Sequence, residues 1–344
     1  MTDLLKSASY DVAIIGAGPA GLAAALELKK SGVDRVIVLE RESEAGGIPR
    51  HCDHPPFGIR EYKRVLTGPT YAKKLVETAH NNDINIALNH TVTMLEPAGK
   101  ITVASSAGIT KLTAQRVLLA TGTRETPRSA RLVSGDRALG ICNTGTLQSM
   151  FYLKKMVPFH RPVVIGTEVV SFSALFTCRK AKIQPVAMLE EGRRPTVRWP
   201  IHYASRVFGV PLLLETQIKK IIGDDRVEAV LIKDKDGNIR HLACDGILFT
   251  GKFTPESTLA RMSHLEFDNQ TGSPIIDQFG RCSDPAYYSA GNVQQYHAAG
   301  HDSAHIPIYY TADNLPQPVN VAGQCWHEGQ KTAQWIVKDL SGGL

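Results

Sequence analysis

The chain predicts an α/β fold of two parallel-sheet domains, the second inserted into the first. Three observations carry that expectation. Residues 10 to 40 read as strand, glycine turn, helix and strand, a βαβ unit of about 30 residues. A weaker copy begins at Arg161. Two further strands, Arg116 to Ala120 and Gly246 to Phe249, each close on a small-residue turn, Thr121-Gly122 and Thr250-Gly251, where one domain hands the chain to the other. The expected division is 1–125 with 256–344 for the first domain and 126–255 for the second.

Composition fits this class. With 344 residues, 43% of them hydrophobic, the chain can bury a large core and exceeds the size at which single cores stop growing. Disordered, collagen-like and disulfide-miniprotein classes are excluded. The net charge of +6 is spread without a polybasic run, so a nucleic-acid partner is not expected. The longest apolar stretches are strand-sized, so no membrane span is expected. Asp3 interrupts a short start that lacks a signal-peptide pattern, and six dispersed cysteines, the nearest two being Cys142 and Cys178, suit reduced thiols. A cytoplasmic location is the expectation.

In the first unit the strand Asp11 to Ile15 runs into Gly16-Ala17-Gly18-Pro19-Ala20-Gly21, which opens the helix Pro19 to Lys30. This is G-x-G-x-x-G in the context that gives it meaning. Gly16 permits the tight turn, Gly18 lets a pyrophosphate reach the backbone, and Gly21 lets helix and strand pack. The helix start then offers free N–H groups and a positive dipole end to the anion. Glu40, followed by Arg41, ends the second strand where a carboxylate accepts hydrogen bonds from a ribose diol. The bland alternative is a glycine turn without a ligand. FAD is favoured over NAD, because Gly46-Gly47 and the distant Gly291-Asn292 make sense for a longer, extended ligand.

In the second unit the strand Pro162 to Ile165 leads into Gly166-Thr167-Glu168-Val169-Val170-Ser171, then a helix to Lys180 and a strand Gln184 to Leu189. Only Gly166 of the three glycines survives. A carboxylate about 5 Å from a pyrophosphate charge repels it by roughly 3 kcal/mol at an effective dielectric of about 20. Ordinary NAD(P)H binding is therefore not expected, unless Arg193, Arg194 or Arg198 compensates; a solvated basic loop is the other reading of those arginines. Gly272 to Pro285 reads as a hairpin before the buried strand Tyr287 to Ala290, and Gln324 to Leu340 has the spacing of a helix that begins near Gly323.

These residues resemble the two-dinucleotide-domain flavoproteins, the glutathione reductase and thioredoxin reductase superfamily, from Tyr10 to Asp339. The resemblance implies two Rossmann-like domains, with Thr121-Gly122 near the adenosine or pyrophosphate. It puts Asn292 where the family usually has an Asp bonded to the ribityl chain. It also points the helix after Gly323 at the flavin N1/C2=O edge. Disulfide reductases of the superfamily need C-x₄-C or C-x-x-C, and neither occurs here. Cys52 follows the glycine pair without a partner.

The strings Gly46-Gly-Ile-Pro-Arg-His-Cys-Asp-His-Pro-Pro-Phe-Gly-Ile-Arg-Glu-Tyr, Thr67-Gly-Pro-Thr-Tyr-Ala, Thr123-Arg-Glu-Thr-Pro-Arg-Ser-Ala-Arg-Leu and Gly166-Thr-Glu-Val-Val-Ser-Phe-Ser-Ala-Leu look like one branch. It is the FAD-binding subunit of hydrogen cyanide synthase, opine oxidase and proline or hydroxyproline dehydrogenase complexes. The branch implies an oxidoreductase subunit beside a second flavoprotein that oxidises a C–N bond of a small-molecule substrate. Branch members often continue into a cysteine-rich iron–sulfur segment that these residues do not contain. Either an independent role or a small iron–sulfur subunit is expected.

No catalytic base is assigned; His51, Cys52 and His327 are the candidates, with His54 a further flavin or substrate contact. For each, ordinary packing or solvent exposure is the competing reading. Arg50 and Arg60 offset flavin or substrate anions, or else pair with Asp53 or Glu61. Arg124 and Arg128 are further phosphate contacts. His297, His301 and His305 recur every fourth residue, yet Gly300 and Pro307 oppose a helix there, so no metal is expected. Two alternatives stay open: an NAD(P)H-dependent flavin reductase, and a nucleotide-binding structural subunit without catalysis.

Overall fold

The structure is a computed structural model and describes residues 9–197, 203–294 and 321–344. Arg198, the three histidines His297, His301 and His305, and the 295–320 insert lie outside the described residues.

The chain opens with β1 (Ser9–Ile15), α1 (Pro19–Lys30) and β2 (Val36–Leu39), then α2 (Ile59–Tyr62), α3 (Gly68–His80), β3 (Asn85–Ala87), β4 (Thr91–Glu96), β5 (Lys100–Ser105) and β6 (Gly108–Leu119). The sheet order is β3-β2-β1-β6-β5-β4. Strands β3, β2, β1 and β6 are parallel, and the β4-β5-β6 meander is antiparallel. The alternation of a strand explains why β1 is apolar from Val12 to Ile15. Val12 and Ile14 pack into the α1 layer, while Ala13 and Ile15 face the opposite core.

The short strand β7 (Thr123–Glu125) carries the chain out of this sheet. Beyond it lie β8 (Ser134–Gly135), β9 (Ile141–Asn143), α4 (Thr144–Gln148), β10 (Pro162–Ile165), α5 (Val169–Lys180), β11 (Ala187–Leu189), α6 (Ala204–Val207) and β12 (Leu212–Leu213). The meander β13 (Gln217–Ile222), β14 (Ala229–Lys233) and β15 (Ile239–Ala243) precedes β16 (Gly246–Phe249). A second parallel sheet has the order β12-β11-β10-β16-β9, and the antiparallel meander extends to a small mixed sheet of order β15-β14-β13-β8. The return strand β17 (Phe253–Pro255) pairs antiparallel with β7, so both crossovers run side by side. After α7 (Thr258–Arg261), β18 (Tyr287–Ser289) joins the first sheet beside β6, and α8 (Ala322–Leu340) packs on α1. Two Rossmann-like domains result, as the paired βαβ units predict.

The expected hairpin over 272–285 is not a two-stranded element. Phe267 with Pro274 and Arg281 with Tyr288 form isolated bridges. Asp268, Asp277 and Asp284 each accept backbone N–H groups two residues on, and such local bonds replace a ladder.

The segment after Gly47 holds the domains together. Lys180 on α5 pairs with Asp53 at 2.5 Å, and Ser173 on the same helix lies 2.6 Å from His54 Nε2. The His54 Nδ1 is 2.9 Å from Pro55 O, so Nδ1 donates and Nε2 accepts from Ser173. Cys52 Sγ donates to Gln148 Oε1 at 3.5 Å. At the crossovers, buried Glu125 accepts N–H groups from Gly145 at 2.8 Å and Gly251 at 3.1 Å. Among the described residues, no helix is long and apolar enough to cross a membrane.

Candidate functional site

The strand ends β1, β2 and β6 open into a cavity of about 790 Å³. Its floor is the first glycine turn. Gly16 has φ 109°, and a Cβ there would sit 2.5 Å from Ala120 O, so the close approach of β1 and β6 requires glycine. Gly18 is extended, and its nearest neighbour in the Cβ direction is Gly47 Cα at 3.9 Å. At Gly122, on the far lip, a Cβ would meet nothing within 4 Å. Two facing backbones are thus bare on the side of the cavity, a cradle for a ligand that approaches the main chain.

Gly16, Gly18, Pro19, Ala20, Glu40, Arg41, Gly47, Thr121, Gly122 and Asn292 all line this cavity, and so does His51. Glu40 is buried; Oε2 accepts from Ala17 N at 2.8 Å and Oε1 from Glu42 N at 2.9 Å. Each oxygen keeps a lone pair for a ligand hydroxyl. Gly21, Gly291 and Gly323 act behind the wall. A Cβ on Gly21 would overlap Gly16 O, one on Gly291 would press Ala20 Cβ at 2.8 Å, and one on Gly323 would meet Glu61 Oε1 at 3.1 Å.

His51 ends a 3₁₀ turn, Ile48–His51, on the cavity wall. Both ring nitrogens are buried without a hydrogen-bond partner among the described residues. Burial, with Arg50 beside it, pushes the imidazole down to about 4, so it is neutral at physiological pH. A buried imidazole with two unused nitrogens asks for a partner that the described residues do not supply. Cys52 is turned away toward Gln148, and burial pushes its thiol up to about 12. His327 is exposed on α8 and is not among the lining residues. Neither geometry suits contact with a ligand in the cavity.

The arginines divide. Arg50 and Arg124 line the cavity; Arg50 donates to Glu44 O at 2.5 Å and Arg124 sits 3.7 Å from Glu256. Arg128 is spent on the carbonyls of Val133, Gly135 and Asp136, away from the cavity. Arg193 faces Glu215 at 3.4 Å.

Several lining residues were not read from sequence. Cys325, in the first turn of α8, lines the wall next to Asn292, and burial pushes its thiol up. Ser149 and Leu153 reach the rim from a π-helical turn in the second domain, Thr258 and Leu259 from α7, and Met262 from just after it. A π turn is a recurrent mark of functional sites, though invisible as a sequence pattern. None of the six cysteines forms a disulfide, and Cys325 is the thiol that lines the cavity among the described residues. Those residues contain no group of three or more His, Cys, Asp or Glu placed to hold a metal ion.

Comparison with known proteins agrees with this architecture. The family model described as Pyridine nucleotide-disulphide oxidoreductase matches residues 10–324. A thioredoxin reductase of Treponema pallidum (strain Nichols) is 27% identical over 292 residues, covering 83% of this chain and 89% of the relative. An opine oxidase subunit of Agrobacterium tumefaciens (strain Ach5) is 27% identical over 325 residues, 85% of this chain; the chain spans 62% of that relative's length. Among solved structures, T. acidophilum thioredoxin reductase superposes with a TM-score of 0.74 at 22% identity, covering 96% of this chain and 98% of that one.

Proposed function

Because the chain belongs to the pyridine nucleotide-disulphide oxidoreductase family, whose flavoproteins use FAD, we propose that it is an FAD-dependent dehydrogenase subunit that oxidises an amine or amino-acid-type substrate. Its reducing equivalents come from that substrate directly or from a partner flavoprotein. One observation carries the reading. The family name speaks of disulphide chemistry, yet among the described residues the cavity wall holds a single thiol, Cys325, no disulfide joins any of the six cysteines, and they lie far apart in sequence. Without two exchanging sulfurs the cavity suits direct transfer from a small donor. The likeness to an opine oxidase subunit supports both the substrate class and a place within a larger assembly. A small iron–sulfur subunit is a further partner under this reading.

The residues fit the cofactor. Bound FAD supplies acceptance of a hydride equivalent. The amides at the start of α1 would hold the pyrophosphate against bare Gly18, Glu40 would take the ribose hydroxyls, and Asn292 would bond the ribityl chain. The first turn of α8, which reaches the cavity at Ala322 and Cys325, would lend its positive dipole end to the flavin. Neutral His51 accepts an N–H from the substrate amine, orienting it without repelling a cation. Cys325 keeps its proton and excludes water beside Asn292.

A second reading, an NAD(P)H-dependent flavin reductase, draws on the 27% identity to a thioredoxin reductase over 83% of the chain. One experiment separates them. The anaerobic holoprotein is mixed with proline, opines, NADH and NADPH in turn, and the flavin absorbance is followed. Bleaching by an amine of the panel, or by a co-purified flavoprotein charged with one, is the expected result. Rapid stoichiometric bleaching by NADPH with none by amines would establish the reductase instead.

A further inference from the structure

The two glycine-turn units can be compared inside the chain. Gly16 and Gly166 are both left-handed, with φ of 109° and 117°. Two residues on, the backbone is extended in both, φ −81° and ψ −174° at Gly18 against φ −76° and ψ 170° at Glu168. Gly122 and Gly251 form the opposite lips, with φ of 76° and 61°. Glu40 and Glu190 follow the second strands, accepting N–H groups from Glu42 and Gly192, each at 2.9 Å. The backbones repeat closely.

What differs is the space between the lips. Beside Gly18 and Gly122 it is open, as described above. In the second domain a Cβ on Gly251 would fall on the Glu168 carboxylate, which reaches across from the start of α5. Its two oxygens accept the Lys252 N–H at 3.1 and 3.2 Å. Arg131 braces that lip from behind, donating to Thr250 O at 2.9 Å and Gly251 O at 2.5 Å, and its charge offsets that of Glu168.

The geometry points to Glu168 as an internal plug: its carboxylate occupies, in the second domain, the seat that the first domain leaves open for a pyrophosphate. Glu168 is thereby the residue that denies this domain to NADH and NADPH. It does so twice over, by filling the volume and by setting a negative charge where a pyrophosphate would bring more. The inference goes beyond the substrate reading and holds whether an amine or a partner flavoprotein reduces the flavin.

The test is a calorimetric titration of the FAD-loaded protein with ADP-ribose, a redox-silent carrier of the same pyrophosphate, and with NADH. FAD loading keeps the probe out of the first domain. Wild type is expected to take up neither below the millimolar range. E168A and E168G, with unchanged near-UV circular dichroism and flavin content, are expected to bind ADP-ribose at least about tenfold more tightly. Micromolar binding by wild type would overturn the plug. So would folded E168A and E168G with no gain. Because the readout is heat of binding, the result stands apart from whether amines bleach the flavin.

Discussion

Gly16 and Gly18 stand two residues apart in one turn, yet a methyl group would injure them in different ways. At Gly16 it meets Ala120 O at 2.5 Å on a left-handed backbone, so Gly16→Ala should cost about 1–3 kcal/mol of stability. At Gly18 the methyl enters open space on an ordinary extended backbone. Gly18→Ala should therefore leave the apoprotein within about 0.5 kcal/mol of wild type while weakening FAD retention. Chemical denaturation of both apoproteins, with flavin content after reconstitution, checks the pair; the opposite ordering of stabilities would refute this account of the turn. These positions are legible in the sequence because one short motif couples a backbone angle to a contact. Cys325 and Ser149 carry no such mark, since each reaches the cavity through closure of elements far apart in the chain. His327 shows the converse. It sits two residues from Cys325, and two helical steps of about 100° each carry it to the opposite, solvent-facing side.

At the scale of elements, α8 shows what periodicity reveals and conceals. Trp326, Ala333, Ile336 and Val337 predict the helix, and it runs from Ala322 to Leu340. Its buried face, however, also holds Gln324, Gly329 and Thr332, which an apolar pattern passes over. Gly329 is where α8 crosses α1, and a Cβ there would overlap Ala20 O. Gly329→Ala should thus destabilise the fold by about 1–3 kcal/mol, despite alanine's better helix propensity, whereas Lys331→Ala should be nearly neutral. Thermal or urea unfolding of the two variants decides it; a Gly329→Ala protein as stable as wild type would show that the crossing has slack. At its far end the helix is tied to the sheet by Asp339, which accepts from Arg116 at 2.5 Å and from Tyr288 at 2.6 Å. Long-range polar ties of this kind leave no sequence pattern at all. The hairpin expected over 272–285 failed for a related reason: the aspartates that signal turns there also take the amides a ladder would need.

For the whole molecule, Glu125 links the two crossovers, and burial pushes its carboxyl up to about 7 from an ordinary 4.5. Between those values the folded protein holds a proton that the unfolded chain has released, so this group's contribution to stability falls as pH rises from about 4.5 to about 7. Measured against Glu125→Gln, whose side chain does not titrate, the stability of wild type should decline across that window and level off above it. A difference between the two proteins that stays constant from pH 4.5 to 7 would contradict the shift. The paired architecture itself was legible, because strand, glycine turn, helix and strand recur at Tyr10 and Arg161. The antiparallel strands β4 and β5 and the meander β13 to β15 were not, since short, half-exposed antiparallel strands alternate too weakly to stand out. Residues 50 to 54 join these scales. Arg50 and His51 form part of the cofactor wall, while two and three residues later Asp53 and His54 grip α5 of the other domain. Any swing of that domain must tug on the same five-residue strap, so its posture and the shape of the first cleft are geared together, and events on one body are felt by the other.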